Sequence, residues 1–390
     1  MNALQPAGER IVALDVIRGF AVMGIFIVNV PEMIGSGGSF IPVHSGFDAV
    51  IRLLYDMLFQ TKFYTIFSFL FGLGFYLFMQ SAERKGLRPK RLFARRLLLL
   101  LLFGIAHAVL LWFGDVLYTY AIIGFLLMPF YKRTPKTVLI WALSLLALFT
   151  VLIVLVSVSV YQSSLSGEIS KPLFTQLPDM GDRLRYLLGA GIANALLRSF
   201  EVLGLFLLGV YAGKKGWFDR DRWNPAVVRR VQWIALAVSA VLFIPMLRYF
   251  GAYDAYYPEA MYHFTYLSGK TMAVFYVCTL LRLLHRYSES RFQGLASVGR
   301  MALTHYLTQT IVTMIVLQFV RSYAGQIPLW AGTMYCIVIF AAQIAVSKVW
   351  FRHYRMGPAE WLWRAGTYGR KPAFRRVAPP YAEQQPSAKL

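Results

Sequence analysis

The stretch Leu14-Asp-Val-Ile-Arg-Gly-Phe-Ala-Val-Met-Gly-Ile-Phe-Ile-Val-Asn29 is apolar enough to span a bilayer, yet Asp15, Arg18 and Asn29 interrupt it on one helix face. Arg18 and Asn29 are separated by three turns plus about 20°, about 16 Å along a helix axis. Asp15 sits one turn before Arg18. A helix in lipid keeps three such groups on one stripe only where the stripe faces protein, water or a ligand. Two readings follow. One is a salt bridge at the membrane surface with a buried asparagine holding helices together; the other is one wall of a polar site.

The rest of the chain sets that stripe in a membrane. Hydrophobic residues make up 58% of the 390 and mean hydropathy is +0.54, which predicts an all-α polytopic membrane protein. The formal charge of +22 would suggest nucleic acid in a soluble chain. Here the basic residues occupy short segments between apolar runs, the pattern of loops facing anionic lipid, so nucleic acid is not an expected partner. Cys278 and Cys336 lie inside apolar runs and form no metal-ligand or disulfide spacing, and no metal is expected. The charges in the first apolar run and the lack of a small-residue cleavage site argue against a signal peptide.

Ten segments read as helices in lipid: 11–30, 55–80, 95–113, 116–131, 137–160, 194–213, 229–250, 268–285, 299–321 and 329–351, the fourth being the shortest. Arg10, Arg18, the gaps 81–96, 131–137, 214–230 and 282–300, and the tail after 351 hold some 30 of the 40 basic residues. That side is expected to be cytoplasmic, with both termini in. The opposite gaps are nearly neutral or acidic. One of them, 249–266, is dense in tyrosine and reads as an interfacial belt or as a surface for stacking a ligand. Residues 1–351 are thus expected to form one transmembrane domain and 352–370 an interfacial amphipathic segment. The basic, Pro-rich residues 371–390 are expected to be a disordered tail.

Several polar groups fall inside the apolar segments. His107 lies about 18 Å beyond Arg95 by helix rise. With Asp115 and Tyr118 it is expected to line one pocket if the next segment returns alongside. It reads either as a satisfied structural histidine or as a general base. Asn194, Arg198 and Glu201 share a face, most simply with an internal Arg–Glu ion pair. Thr304, His305, Thr308 and Gln309 make a broad polar face after Arg300. Thr65, Ser68, Gly72 and Gly74 read as a close helix contact. No nucleophile elbow, zinc spacing or dinucleotide fingerprint is present. Gly269-Lys270-Thr271 mimics the end of a phosphate loop, but Phe264 stands where that loop needs glycine.

The combination of Leu14–Asn29, Phe67–Phe75, Gly104-Ile-Ala-His107 with Gly114-Asp-Val-Leu, Val298-Gly-Arg-Met-Ala-Leu-Thr-His-Tyr-Leu and Gly357-Pro-Ala-Glu-Trp-Leu-Trp resembles the YeiB-like family of bacterial inner-membrane proteins. That family is defined by a C-terminal domain of unknown function, here about residues 214–370. It usually carries asparagine where this chain has His305. More distantly, Asp15-x-x-Arg18-Gly with Asn29 is similar to the first helix of transmembrane acyltransferases such as heparan-alpha-glucosaminide N-acetyltransferase. The resemblance implies transfer of an acyl group from a cytoplasmic acyl-CoA to an acceptor outside. It implies His107 or His44 as base, Asn29 as oxyanion donor, Asp115 orienting the histidine, and Arg18, Arg95 and Arg96 as phosphate contacts. Arg198, Glu201, His305 and Gln309 are the candidate substrate contacts. A single cavity is expected between the segments beginning at 11, 95, 194 and 299. The expected partners are membrane lipids, a small-molecule, glycan or lipid acceptor, and a second copy of the chain. A transporter or flippase for a lipid-linked or small polar molecule is the rival reading, because intramembrane Asp, Glu and His also serve carriers.

Overall fold

The computed structural model describes residues 12–219, 224–253, 255–320, 323 and 325–376; Arg10 and the tail from 377 onward lie outside it. Among the described residues nine helical stretches are long and apolar enough to cross a membrane. They comprise α1 Val12–Met33, α2 Gly46–Leu58 continuing into α3 Lys62–Arg84, α4 Pro89–Leu110, α6 Pro135–Leu165, α7 Met180–Tyr186 continuing into α8 Ile192–Lys215, α9 Pro225–Ala252, α10 Tyr262–Arg286, α12 Ala302–Val320 and α13 Leu329–His353. Shorter helices are α5 Leu117–Phe125, α11 Gln293–Arg300 and α14 Pro358–Tyr368. The chain is an all-α multi-pass membrane protein. Large apolar side chains such as Leu102, Val151, Leu155, Val241 and Val338 face outward, as a bundle in lipid requires.

The segment at 116–131 departs from the sequence expectation. It is not a full-length helix but the nine-residue α5 followed by a 3₁₀ turn at Met128–Phe130. The Gly114-Asp115 turn consumes its start, and Pro129 lacks the amide a continuing helix would use. The chain nonetheless returns to the basic end alongside α4. A Cβ on Gly104 would meet Tyr118 N at 2.3 Å, and one on Gly124 would meet the Leu97 side chain at 2.6 Å. Farther on, the Tyr131 hydroxyl donates to Glu83 and Lys214 donates to the Tyr131 carbonyl.

Glycine sets the tightest helix crossings. A Cβ on Gly72 in α3 would lie 1.8 Å from the Phe206 carbonyl oxygen of α8, and one on Gly209 would lie 2.0 Å from that of Phe69. The same arrangement joins α1 to α11, where a Cβ on Gly299 would fall 1.8 Å from Asp15 O and one on Gly19 2.0 Å from Leu295 O. Dispersion between closely approaching backbones is what holds helices together in lipid. Around the first crossing Phe75, Phe93, Leu97, Tyr120 and Phe206 form a core; around the second, Val16, Ile17, Ile66, Leu70 and Tyr306 form another.

At the end opposite the basic loops, His44–Ser45 pairs antiparallel with Ala255–Tyr256. This short ribbon draws the tyrosine-rich loop inward. Tyr256 and Tyr257 are buried with Leu53, Met246 and Met261, so this part of the expected aromatic belt is core. At the basic end α14 docks on protein. Glu360 Oε1 accepts from the amides of Leu303 (2.8 Å) and Thr304 (3.0 Å), and Oε2 accepts from the Thr304 hydroxyl (2.5 Å). A carboxylate there satisfies donors that a helix start leaves without intrahelical partners. The Trp363 indole donates to Arg96 O at 2.8 Å, fastening α14 to α4.

These crossings make a sharp expectation. Gly72→Val drives a side chain into the α8 backbone and should cost more than about 3 kcal/mol, beyond ordinary overpacking. Gly74→Ala, with open space around it, should leave the thermal unfolding midpoint in detergent unchanged.

Candidate functional site

A cavity of about 440 Å³ opens at the basic end between α1, α3, α4, α5, α12 and α14. The expected wall from 194–213 is not there; α3 takes its place because the glycine crossing turns α8 to the far side of α3. Its mouth holds Arg18, Arg96, Arg300 and Arg364 together with Asp15 and Glu360, and its interior is lined by Ile25, Phe67, Leu70, Phe71, Phe75, Phe93 and Leu100. Arg18 Nη1 lies 3.1 Å from Asp15 Oδ1. The Arg96 guanidinium stacks 3.7 Å over the Trp363 ring, a cation–π contact that holds it in place at the rim. Glu360 spends both oxygens on the start of α12. The remaining rim is therefore cationic over an apolar slot, a shape suited to an amphiphile with an anionic head.

Tyr306, Tyr120 and Leu117 line the cavity at its deep end. Behind them Asp115 gathers three partners. The Tyr306 hydroxyl donates to Oδ1 at 3.1 Å and the Tyr118 amide to Oδ2 at 3.1 Å. His107 Nδ1 lies 2.9 Å from Oδ1, with its N–H direction too bent for a linear hydrogen bond. The His107 and Tyr306 rings sit 5.1 Å apart. His107 and Asp115 are 2% and 5% exposed, and His107 Nε2 has no hydrogen-bond partner among the described residues. Nδ1 is the ring nitrogen beside the carboxylate, and Nε2 is the one remote from it.

A second cavity of about 280 Å³ lies at the opposite end, lined among others by Glu32, Met33, Leu111, Trp112, Asp179, Arg183, Met314 and Leu317. The same faces of three helices line both cavities. On α1, Arg18 and Ile25 line the first and Glu32 and Met33 the second, with half-buried Asn29 between. On α4, Arg96 and Leu100 precede His107, and Leu111 follows it. On α12, Tyr306 is followed one turn later by Thr310 and another turn later by Met314. By helix rise the partition between the cavities is about 10 to 16 Å thick. It carries His107, Asn29 and Thr310.

The other residues singled out from the sequence lie elsewhere. Arg95 is exposed and lines neither cavity. His305 Nε2 is 2.6 Å from Ser347 Oγ, and Gln309 donates to Gln343 at 2.9 Å, so both fasten α12 to α13. Arg198 is exposed, and the expected Arg198–Glu201 pair does not form; Glu201 instead takes the Lys270 ammonium from α10. His44 sits in the ribbon, outside the spanning helices. Burial, with the Arg52 charge nearby, pushes its imidazole down to about 3, too weak a base to take a proton at neutral pH.

The family model described as "Protein of unknown function (DUF418)" matches residues 212–370, from the end of α8 through α14. The uncharacterized protein YxaH of Bacillus subtilis (strain 168) is 34% identical over 94% of this chain and 97% of its own length. The chain belongs to the YeiB-like family. Uncharacterized protein YeiB of Escherichia coli (strain K12) is 26% identical over 91% of this chain and 96% of its own. No solved structure matches.

In this YeiB-like protein, sequence reasoning missed a second buried polar cluster. Arg52 Nε lies 3.3 Å from Asp56 Oδ1, Tyr256 donates to Asp56 Oδ2 at 3.0 Å, and fully buried Lys62 donates to the Asp56 carbonyl and to Ser268. Lys270 also sits 3.8 Å over the Tyr266 ring. The Arg52–Asp56 spacing of one turn and two lysines in apolar surroundings were the available signals. Gly269, the phosphate-loop mimic, is explained by packing: a Cβ there would lie 1.9 Å from Thr61 Oγ1.

The Glu201–Lys270 pair should behave as a buried ion pair. Glu201→Ala strands the ammonium and should cost about 3–5 kcal/mol, whereas Glu201→Leu with Lys270→Met should regain most of that loss in a thermal unfolding series.

Proposed function

We propose that this protein is a bacterial inner-membrane acyltransferase, with both termini cytoplasmic. It carries an acyl group from a coenzyme A thioester in the basic cavity to a hydroxyl or amine in the opposite one. The observation that supports the reading is the pair of cavities entering from opposite ends along the same faces of α1, α4 and α12, with His107–Asp115 in the partition between them. The four arginines at the mouth suit the donor's phosphates, and the narrow apolar slot suits its extended arm and acyl chain. In the step itself His107 Nε2 takes the acceptor's proton as its oxygen or nitrogen bonds to the acyl carbon, and the carbonyl π pair moves to oxygen. The pair then returns, the carbon–sulfur bond breaks, and the thiolate leaves with the proton from His107. Asp115 holds the ring and balances its charge while it is protonated. Asn29 is a donor to the developing oxyanion.

The test is titration of purified protein with coenzyme A thioesters of several chain lengths, followed by thiol release. Arg18→Ala should weaken donor binding about tenfold or more, and Arg95→Ala should leave it unchanged. His107→Gln should retain donor binding and lower thiol release about 100-fold or more. Flat titrations with every thioester would overturn the reading.

The rival is a carrier, favoured by the buried charges of Asp56, Lys62 and Glu201, the last paired with half-buried Lys270, because ionisable groups at membrane depth are costly and usually functional. Solute movement in proteoliposomes lacking any thioester would select it.

A further inference from the structure

The threonines of α12 differ in how their hydroxyls are used. Thr304 donates to Glu360, Thr308 to His305 O at 3.1 Å and Thr313 to Gln309 O at 2.8 Å. Thr310 is 1% exposed and its Oγ1 has no hydrogen-bond partner among the described residues. A helical threonine ordinarily turns its hydroxyl back to a carbonyl one turn earlier. Leaving a buried hydroxyl unpaired costs about 1–3 kcal/mol, and no hydrogen bond among the described residues offsets that cost. Its place is equally specific. Thr310 stands one turn beyond Tyr306, whose hydroxyl holds Asp115, and one turn before Met314, which lines the opposite cavity.

Among the described residues the partition thus leaves both His107 Nε2 and Thr310 Oγ1 without a hydrogen-bond partner. In the acyl-transfer reading His107 Nε2 offers a lone pair and Thr310 Oγ1 offers an unspent donor. Acyl transfer needs one of each, a base for the nucleophile and a donor for the carbonyl oxygen as it gains charge. We propose that Thr310 donates a hydrogen bond to the acyl carbonyl oxygen of the thioester as that oxygen becomes an oxyanion. This rests on the acyl-transfer reading and adds to it a catalytic residue on α12, one turn beyond the Tyr306 ring that packs 5.1 Å from His107. The donated proton stays on Thr310 throughout; the proton that moves is the acceptor's, through His107 to the departing thiolate.

The variants that test it are Thr310→Val, which keeps the shape and removes the hydroxyl, and Thr310→Ser, which keeps the hydroxyl. Thr310→Val should lower kcat for thiol release about 100-fold, the usual loss for one oxyanion donor, with the thioester KM unchanged. It should also unfold at the same or a higher temperature than wild type in detergent, because a buried unpaired group has been removed. Thr310→Ser should keep kcat within about fivefold. Wild-type turnover by Thr310→Val overturns the inference and leaves acyl transfer standing. So does a lowered unfolding temperature in Thr310→Val that Thr310→Ser restores, since the hydroxyl then holds structure. A wild-type protein inert to every thioester removes the acyl-transfer reading, and this inference with it.

Discussion

One carboxylate joins parts of the chain that are remote in sequence. Asp115 receives the Tyr306 hydroxyl from α12 and the Tyr118 amide from the start of α5, and it lies against the His107 imidazole from α4. In hydrocarbon an ionisable group without partners costs several kcal/mol, so the acid can sit where it does only if all three are present together. The sharp turn at Gly114-Asp115, the short α5 and the closeness of α4 to α12 follow from that need. The gathering also sets Nδ1 of the histidine 2.9 Å from the carboxylate. Stability and chemistry are here two readings of the same contact.

Much of this architecture is legible in the sequence because lipid makes the signal simple. Runs of about twenty apolar residues identify spans without any knowledge of their neighbours, and the polar stripe of α1 and the His107–Asp115 juxtaposition follow from helix periodicity and a sharp turn. What escapes is whatever depends on which helices become neighbours. Glu201 lies one turn from Arg198 yet pairs with Lys270, because α10 brings its ammonium to the buried face while Arg198 points outward. Arg95 and Arg96 look alike in sequence, but the rotation between adjacent residues puts one at the surface and the other under Trp363. Thr310 reads as one more small polar packing residue; that its hydroxyl is unspent emerges only from the hydrogen bonds of its neighbours. The burial of Tyr256 and Tyr257 escapes for a related reason, since a two-residue strand pairing draws Tyr256 inward and no periodicity announces it.

The charged groups divide into two populations with different physics. Those of the basic cavity sit at a rim, where water reaches them and where attraction for an anion is available for binding. Asp56, Lys62 and Glu201 are enclosed, and the attraction they gain from their partners is largely offset by the cost of removing them from water. The first population is open to solvent, whereas the second ties neighbouring helices together.

The basic cavity is walled by Arg18 near the start of the described chain and by Trp363 and Arg364 near its end. A polypeptide inserted from its N-terminus therefore has no finished mouth until the last helix has been made and Glu360 has seized the head of α12. Half-built protein in the bilayer is left with an open gutter in place of a socket.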